Sequence, residues 1–468
     1  MTGKFKRFFA PVDMTEGRPA KQITSFMVPM LIGNVAQQLY NTVDSIIVGR
    51  FVGDNALAAV GSAGPLLNLF LMLFVGISVG AGIMVSQAFG AKDRDALSTA
   101  VGTSITLTLV AVILIMVTTP FLTMPLLRLV GTPDSIIKWT WQYLMILFVG
   151  FFGCAYYNIL SGILRGLGDS LSALIYLLIA TAINTVLDYI FVRYFHMGVA
   201  GAAVATVISQ TISAVLSYRK LLQMKQLFDM TGSYMKLHRK PVLELLRLGL
   251  PSGVTQAVFS MSMLIIQVLT NSFGEQYIAA NVIVMRVDGF VMMPAFSFGQ
   301  AMTTFAGQNA GAGKLDRIKQ GNREGTLIGI MTSVVIAFLI WLFGKGLMSV
   351  FTATDSLVEM SYHMMMILMP GYIAMEVTQC LSGTMRGAGD TMTPMWISLI
   401  NTVVLRIPLA YGLVALTKTA ALPRGNCFML QYSLMTTWIL GALLTLACYK
   451  AGRWKKYLPK NPDDPGAV

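Results

Sequence analysis

Charge is what this sequence lacks most: only 12% of its 468 residues are Asp, Glu, Lys or Arg, about half the ~25% of an ordinary soluble domain. Histidine is rarer still, with three residues (His196, His238, His363) scattered too widely for any metal-ligand spacing. That scarcity argues against an integral-membrane enzyme with a metal or acid–base constellation. The four cysteines (Cys154, Cys380, Cys427, Cys448) stand unpaired in apolar runs and read as small buried hydrophobes. The opening stretch from Met1 to Lys21 has no apolar core or small-residue cleavage site, so the first helix is expected to be retained as its own insertion signal. No stretch longer than a short loop is left for a soluble domain, which disfavours a scaffold or sensor.

What is present is hydrocarbon: 55% of the residues are hydrophobic, in runs longer than the ~20 residues that cross a bilayer core. The reading is an all-α membrane protein of twelve transmembrane helices in two parallel six-helix lobes. The expected spans are about 24–50, 55–86, 97–123, 137–164, 171–194 and 198–222, then 243–272, 277–307, 322–350, 357–385, 392–416 and 427–450. This divides the chain into an N-terminal segment 1–23, an amino lobe 24–222, a basic linker 223–242, a carboxy lobe 243–450 and a tail 451–468. The linker is read as a plain connection in preference to an amphipathic surface helix. Although the net charge is +13, the cations lie between apolar runs and make no basic face interleaved with aromatics, which excludes nucleic acid. Twenty-four Lys and Arg collect in the segments on one side of the membrane and seven on the other, so both termini are expected in the cytoplasm.

The halves repeat. Leu160-Ser161-Gly162-Ile163-Leu164-Arg165-Gly166-Leu167-Gly168-Asp169-Ser170 returns 221 residues later as Leu381-Ser382-Gly383-Thr384-Met385-Arg386-Gly387-Ala388-Gly389-Asp390-Thr391, with seven of eleven positions identical. Gln87, Gly90, Ala91 and Asp95 meet Gln308, Gly311, Ala312 and Asp316 at the same offset. Six helices per repeat return the chain to the same side, so the lobes are parallel and related by a pseudo-twofold along the membrane normal.

Ionisable groups inside a membrane are costly, about 2.5–3.5 kcal/mol each on insertion scales, and call for a reason. In helix 1, Gln37, Tyr40, Asn41 and Asp44 share one face; in helix 5, Asn184 and Asp188 stand one turn apart. Helix 6 carries Thr206, Gln210 and Ser213 on a face of small residues. If these faces converge, two carboxyls share a small dry cavity. Both do not ionise there, so the pair either exchanges a proton or holds a dehydrated sodium ion; a purely structural network is the remaining reading. In the second half, Arg286, Asp288, Glu376 and Arg406 have no partner that spacing defines, and serve either as salt-bridged scaffold or as substrate contacts. Pro29, Pro251, Pro294, Pro370 and Pro408 are candidate hinges. Most of the 32 Met fill core or lipid-facing positions, while Met292 and Met293 are candidates for an adaptable cavity wall.

Asn41-Thr42-Val43-Asp44-Ser45-Ile46-Ile47-Val48-Gly49, followed by Gly53-Asp54-Asn55-Ala56-Leu57-Ala58-Ala59-Val60-Gly61, resembles the helix 1–2 signature of the multidrug and toxic compound extrusion (MATE) transporters. Gln87 to Gly90, the duplicated Arg-Gly-x-Gly-Asp turn and Asn184-Thr185-Val186-Leu187-Asp188 resemble it as well, so that the likeness covers about residues 20–450. The resemblance implies a monomeric antiporter of the bacterial inner membrane that exports cationic or amphipathic small molecules in exchange for H⁺ or Na⁺, with no cofactor. It places the coupling cation on Asp44, Asn184, Asp188 and Thr206, which are metal ligands only if Na⁺ is the ion. Gln37, Tyr40 and Asn158 match neighbouring polar positions, and Pro29 a helix 1 proline associated with bending. In another branch of the family, carboxylates of helices 7, 8 and 10 bind the cation. Here helix 7 offers Gln256, while helices 8 and 10 keep Asp288 and Glu376; with Arg286 these are candidates for the substrate cavity. A lipid-linked precursor flippase of similar architecture is the alternative, and its pyrophosphate cargo would demand more cavity cations than Arg286 and Arg406.

Overall fold

The computed structural model describes residues 12–420 and 422–458. The predicted N-terminal segment and C-terminal tail therefore lie partly outside the described residues. Those described are helical with short turns, and no strand occurs among them. The first half comprises α1 (Pro19–Phe51), α2 (Asp54–Gly90), α3 (Arg94–Leu129), α4 (Asp134–Val149), α5 (Phe151–Gly166), α6 (Ser170–Asp188) and α7 (Gly198–Gln223). The second comprises α8 (Arg239–Asn271), α9 (Glu275–Val291), α10 (Met293–Gly311), α11 (Leu315–Ser349), α12 (Asp355–Gly387), α13 (Met392–Leu399), α14 (Arg406–Leu416) and α15 (Met429–Ala451). Among the described residues ten helices are long and apolar enough to span a membrane, and the pair α4 and α5, bent by 54°, makes an eleventh if it counts as one span. α1, expected as the first span, is not among these, and its 33 residues include Lys21, Asp44 and Arg50.

Two expected helices are broken. The span expected over 137–164 bends at Gly150, where Val207 of α7 packs so close that a Cβ would lie 2.3 Å from its methyl group. The span expected over 277–307 divides at Met292, and Pro294 takes the first turn of α10, a position where its missing N–H costs nothing.

By contacts the chain forms two units. The first is Met1–Asp13 with Val28–Gly253, the second Met14–Met27 with Val254–Val468. Thus α1 and α8 each begin in one unit and continue in the other, and each changes unit next to a proline inside the helix, Pro29 and Pro251.

In the first unit, α2 is the central helix. Its Gly76 and Gly80 face Gly249 and Leu245 of α8 so closely that a Cβ would come within 2.9 and 2.7 Å of their carbonyl oxygens. Across another face, Gly162 of α5 rests on Ser78, where a Cβ would be 2.6 Å from the carbonyl oxygen. Small residues permit this approach where lipid supplies no hydrophobic drive between helices. Phe70, Phe74, Phe148 and Phe151 pack edge-on deeper in the unit, with centroids of 5.0 Å (Phe70–Phe148) and 5.2 Å (Phe74–Phe151). Residues 224–238 form turns strapped over the start of α3. The Arg94 guanidinium grips both carboxylate oxygens of Asp229 at 2.8 Å and donates to the Lys225 and Gln226 carbonyls. Beside that guanidinium the Asp229 carboxyl is held below its usual range.

The second unit repeats these devices. Gly383 of α12 rests on Gly299 of α10, with a Cβ only 2.2 Å from the carbonyl oxygen. The strap here is the segment before α1: Arg317 donates to the carbonyls of Met14, Glu16 and Gly17, while Gln308 accepts from the Met14 N–H at 2.8 Å. In both units the repeated turn reverses the chain through a left-handed glycine, Gly168 (φ 86°) and Gly389 (φ 102°). The following Asp caps the next segment, Asp169 accepting from Ser172 N–H at 2.9 Å and Asp390 from Thr393 N–H at 3.0 Å. An identical motif folds the same way twice.

Candidate functional site

The polar faces of α1, α6 and α7 converge inside the first unit. Asp44 is 8% exposed, Asn184 1% and Asp188 not at all. The two carboxyls lie within hydrogen-bonding reach of each other. Asn184 is oriented so that its amide nitrogen donates to Asp188 Oδ2 at 2.8 Å and its oxygen accepts from the Thr206 backbone N–H at 3.3 Å, the one orientation in which both ends meet complementary partners. From α1, the Tyr40 hydroxyl donates to Thr206 Oγ1 at 3.2 Å. The site is a closed ring of side chains from three helices.

Two acceptors in that ring are unmatched: Asp44 Oδ1 and Asp188 Oδ1 are buried without a hydrogen-bond donor among the described residues. A buried carboxylate oxygen without a partner is costly, and both can be satisfied at once by a proton shared between them or by a small cation. The donor set of two carboxyls, an amide and a hydroxyl is all oxygen apart from one nitrogen, which suits H⁺ or a hard cation and not a soft metal. Tyr143 of α4, 6% exposed, stands near both carboxyls. It carries no signal in the sequence, being one aromatic in an aromatic-rich helix.

The remaining predicted residues fall in different places. Gln37 is half-buried on α1, and Asn158 is turned back to its own helix, its amide donating to the Cys154 carbonyl at 2.8 Å. Ser213, on the same helix face as Thr206, donates to the Tyr176 carbonyl and is absorbed in packing. Pro29 lies within α1. In the second unit, Gln256 and Arg286 are exposed, and Glu376 is fully buried. Glu376 packs against Gly329, where a Cβ would be 2.2 Å from Oε1, and accepts from Ser333 and Cys380 at 3.4 Å each. Asp288 instead borders a cavity of about 100 Å³ together with Arg406, and it accepts from the Tyr372 hydroxyl.

Comparison with known proteins gives a consistent answer. The MatE family model matches residues 29–190 and again 251–412. Bacillus subtilis "Probable multidrug resistance protein YoeA" is 32% identical over 416 residues, covering 87% of this chain and 90% of its own. YpnP of the same organism, also named as a multidrug resistance protein, is 29% identical and covers 95% and 97% of the two chains. Among solved structures, a MATE transporter crystallised with MaL6 superposes with a TM-score of 0.86 at 25% identity, over 95% of this chain and 99% of that one. Two matches of one family model, one in each structural repeat, and a 32% identical relative along nearly the whole length make this chain a member of the MatE family of multidrug efflux transporters.

Proposed function

We propose that this protein is a secondary antiporter that exports cationic or amphipathic compounds from the cytoplasm in exchange for inward H⁺ or Na⁺. It works as a monomer in a bacterial inner membrane, with both termini cytoplasmic. Asp44, Asn184, Asp188 and Thr206 bind the coupling ion. The observation that carries this reading is the facing pair of buried carboxyls with one unmatched oxygen each. A structural network would bury its polar groups satisfied; this one leaves acceptors for one small positive species.

Binding alone moves nothing. The ion drives export only if its affinity differs between inward-open and outward-open states, and each tenfold difference biases their equilibrium by about 1.4 kcal/mol. Loading the site neutralises the single negative charge that the empty pair carries and joins Asp44 of α1 to Asp188 of α6 through the bound ion. The change is thereby passed to α1, with Pro29 as the point of bending. Asp44 and Asp188 supply the charge that binds the ion; Asn184 and Thr206 complete its set of partners.

The test is transport of the permanent cation tetraphenylphosphonium by reconstituted protein, under separately imposed pH and sodium gradients. The wild type should respond to one gradient, while Asp44→Asn and Asp188→Asn should fold, as judged by a monodisperse profile, yet respond to neither. Normal gradient-driven export by Asp44→Asn would remove that residue from the mechanism.

A further inference from the structure

The second unit carries a buried cation that nothing above employs. Arg406 is 4% exposed, yet its Nε and Nη1 have no hydrogen-bond acceptor among the described residues. One face of the guanidinium lies over the Phe259 ring at 5.6 Å, which leaves the donors in its plane pointing elsewhere. Buried guanidinium donors are ordinarily paired, because a desolvated charge without an acceptor is strongly unfavourable. Arg406 borders the cavity between α8, α9, α14 and α15, with Asp288 on the same wall and no ion pair of 4.0 Å or less between the two. The rest of the lining mixes apolar side chains such as Met285 and Leu434 with the amides of Asn281 and Gln431.

Asn184-Thr185-Val186 of the first half returns as Asn401-Thr402-Val403, but the first is followed by Leu187-Asp188 and the second by Val404-Leu405-Arg406. In both units the helix widens into one π-turn beside its charged residue: Tyr189–Tyr194 directly after Asp188, and Ile400–Leu405 directly before Arg406. Such turns are frequent at functional positions, since they re-aim a side chain without ending the helix. With the two Asn-Thr-Val runs aligned, Asp188 meets Leu405 and Arg406 meets Tyr189, so the base of the second unit stands one residue, about 100° round the helix, from the position of the acid.

We infer that the cavity of the second unit is a binding site for the carboxylate of an amphiphilic monocarboxylate, with Arg406 as its anchor through Nε and Nη1. Nε and Nη1 point to different edges of the guanidinium, and either donates to a carboxylate oxygen in a charge-assisted hydrogen bond that a neutral isostere does not match. Asp288 in the same wall disfavours ligands of higher negative charge, and the apolar lining accepts a ring or chain. This site goes beyond the cation-coupled export proposed above and does not depend on it, since its readout is equilibrium binding.

The experiment is calorimetric titration of the purified full-length protein with 1-naphthoate and with 1-naphthamide, which differ in charge but hardly in shape. The wild type should bind naphthoate at least about tenfold more tightly, the range of a charged hydrogen-bonded pair. Arg406→Gln should abolish that preference, and Asp288→Asn should strengthen naphthoate binding by removing a like charge. A residue that merely props up the fold would not move binding in opposite directions at these two positions. Should Arg406→Gln fail to fold, Met285→Trp fills the cavity with Arg406 intact and should eliminate naphthoate binding. Equal affinity of the wild type for the two probes, a preference unchanged in Arg406→Gln, or full binding in Met285→Trp would overturn the inference.

Discussion

The side chain of Thr206 shows how little separates a binding group from a structural one. Its hydroxyl accepts from Tyr40 and its backbone N–H serves the Asn184 oxygen, so one residue of α7 ties α1 to α6. Thr206→Val keeps the shape and deletes the acceptor, which should lower stability by about 0.5–1.5 kcal/mol in thermal unfolding; Thr206→Ser should be close to wild type. The convergence of these residues was readable in the sequence at this scale because Asp44, Asn184 and Asp188 sit at helical spacing in otherwise apolar runs. Arg406 was visible as a residue but its condition was not: whether a buried cation is paired depends on helices far away in the chain. Asp288 and Glu376 make the same point, being equivalent acids in a sequence. Folding seats one against Gly329 and the other in a cavity wall.

At the scale of helices, contact is governed by where a Cβ is forbidden. Gly162 and Gly383 occupy the same position of the duplicated motif, and each lets α5 or α12 touch the backbone of a neighbouring helix. Gly383→Ala should force α10 and α12 apart and cost about 1–3 kcal/mol, whereas Gly412→Ala, with nothing within 4 Å, should be neutral or mildly stabilising. Parallel melts of the two variants check this. The repeat made the motif legible, but not its use as a contact, since glycine in a membrane sequence is common for several reasons. Helix existence could be read from apolar runs; helix continuity could not. The 54° bend at Gly150 arises from Val207 on another helix, and the break at Met292 leaves the apolar run uninterrupted.

For the whole molecule, the distribution of cations sets the expected orientation, with 24 on one side and seven on the other. A carboxy-terminal alkaline phosphatase fusion should therefore be inactive and a green fluorescent protein fusion bright; the reverse pattern would invert the topology. Duplication was plain from the sequence. The exchange of helix beginnings was not, because it rests on contacts such as Ala20 N–H to Glu324, 304 residues apart.

That exchange has a consequence for manufacture. Met14–Met27 leaves the ribosome long before the rest of the unit it completes, which does not start again until Val254. At about 5–20 residues per second the segment waits on the order of tens of seconds for its docking partners to exist. The first unit, in turn, stays unfinished until Gly253 has been made, well past the end of α7, because it includes the beginning of α8. A nascent chain halted at the linker is thus not half a transporter but a bundle short of one wall, with Met14–Met27 still unhoused.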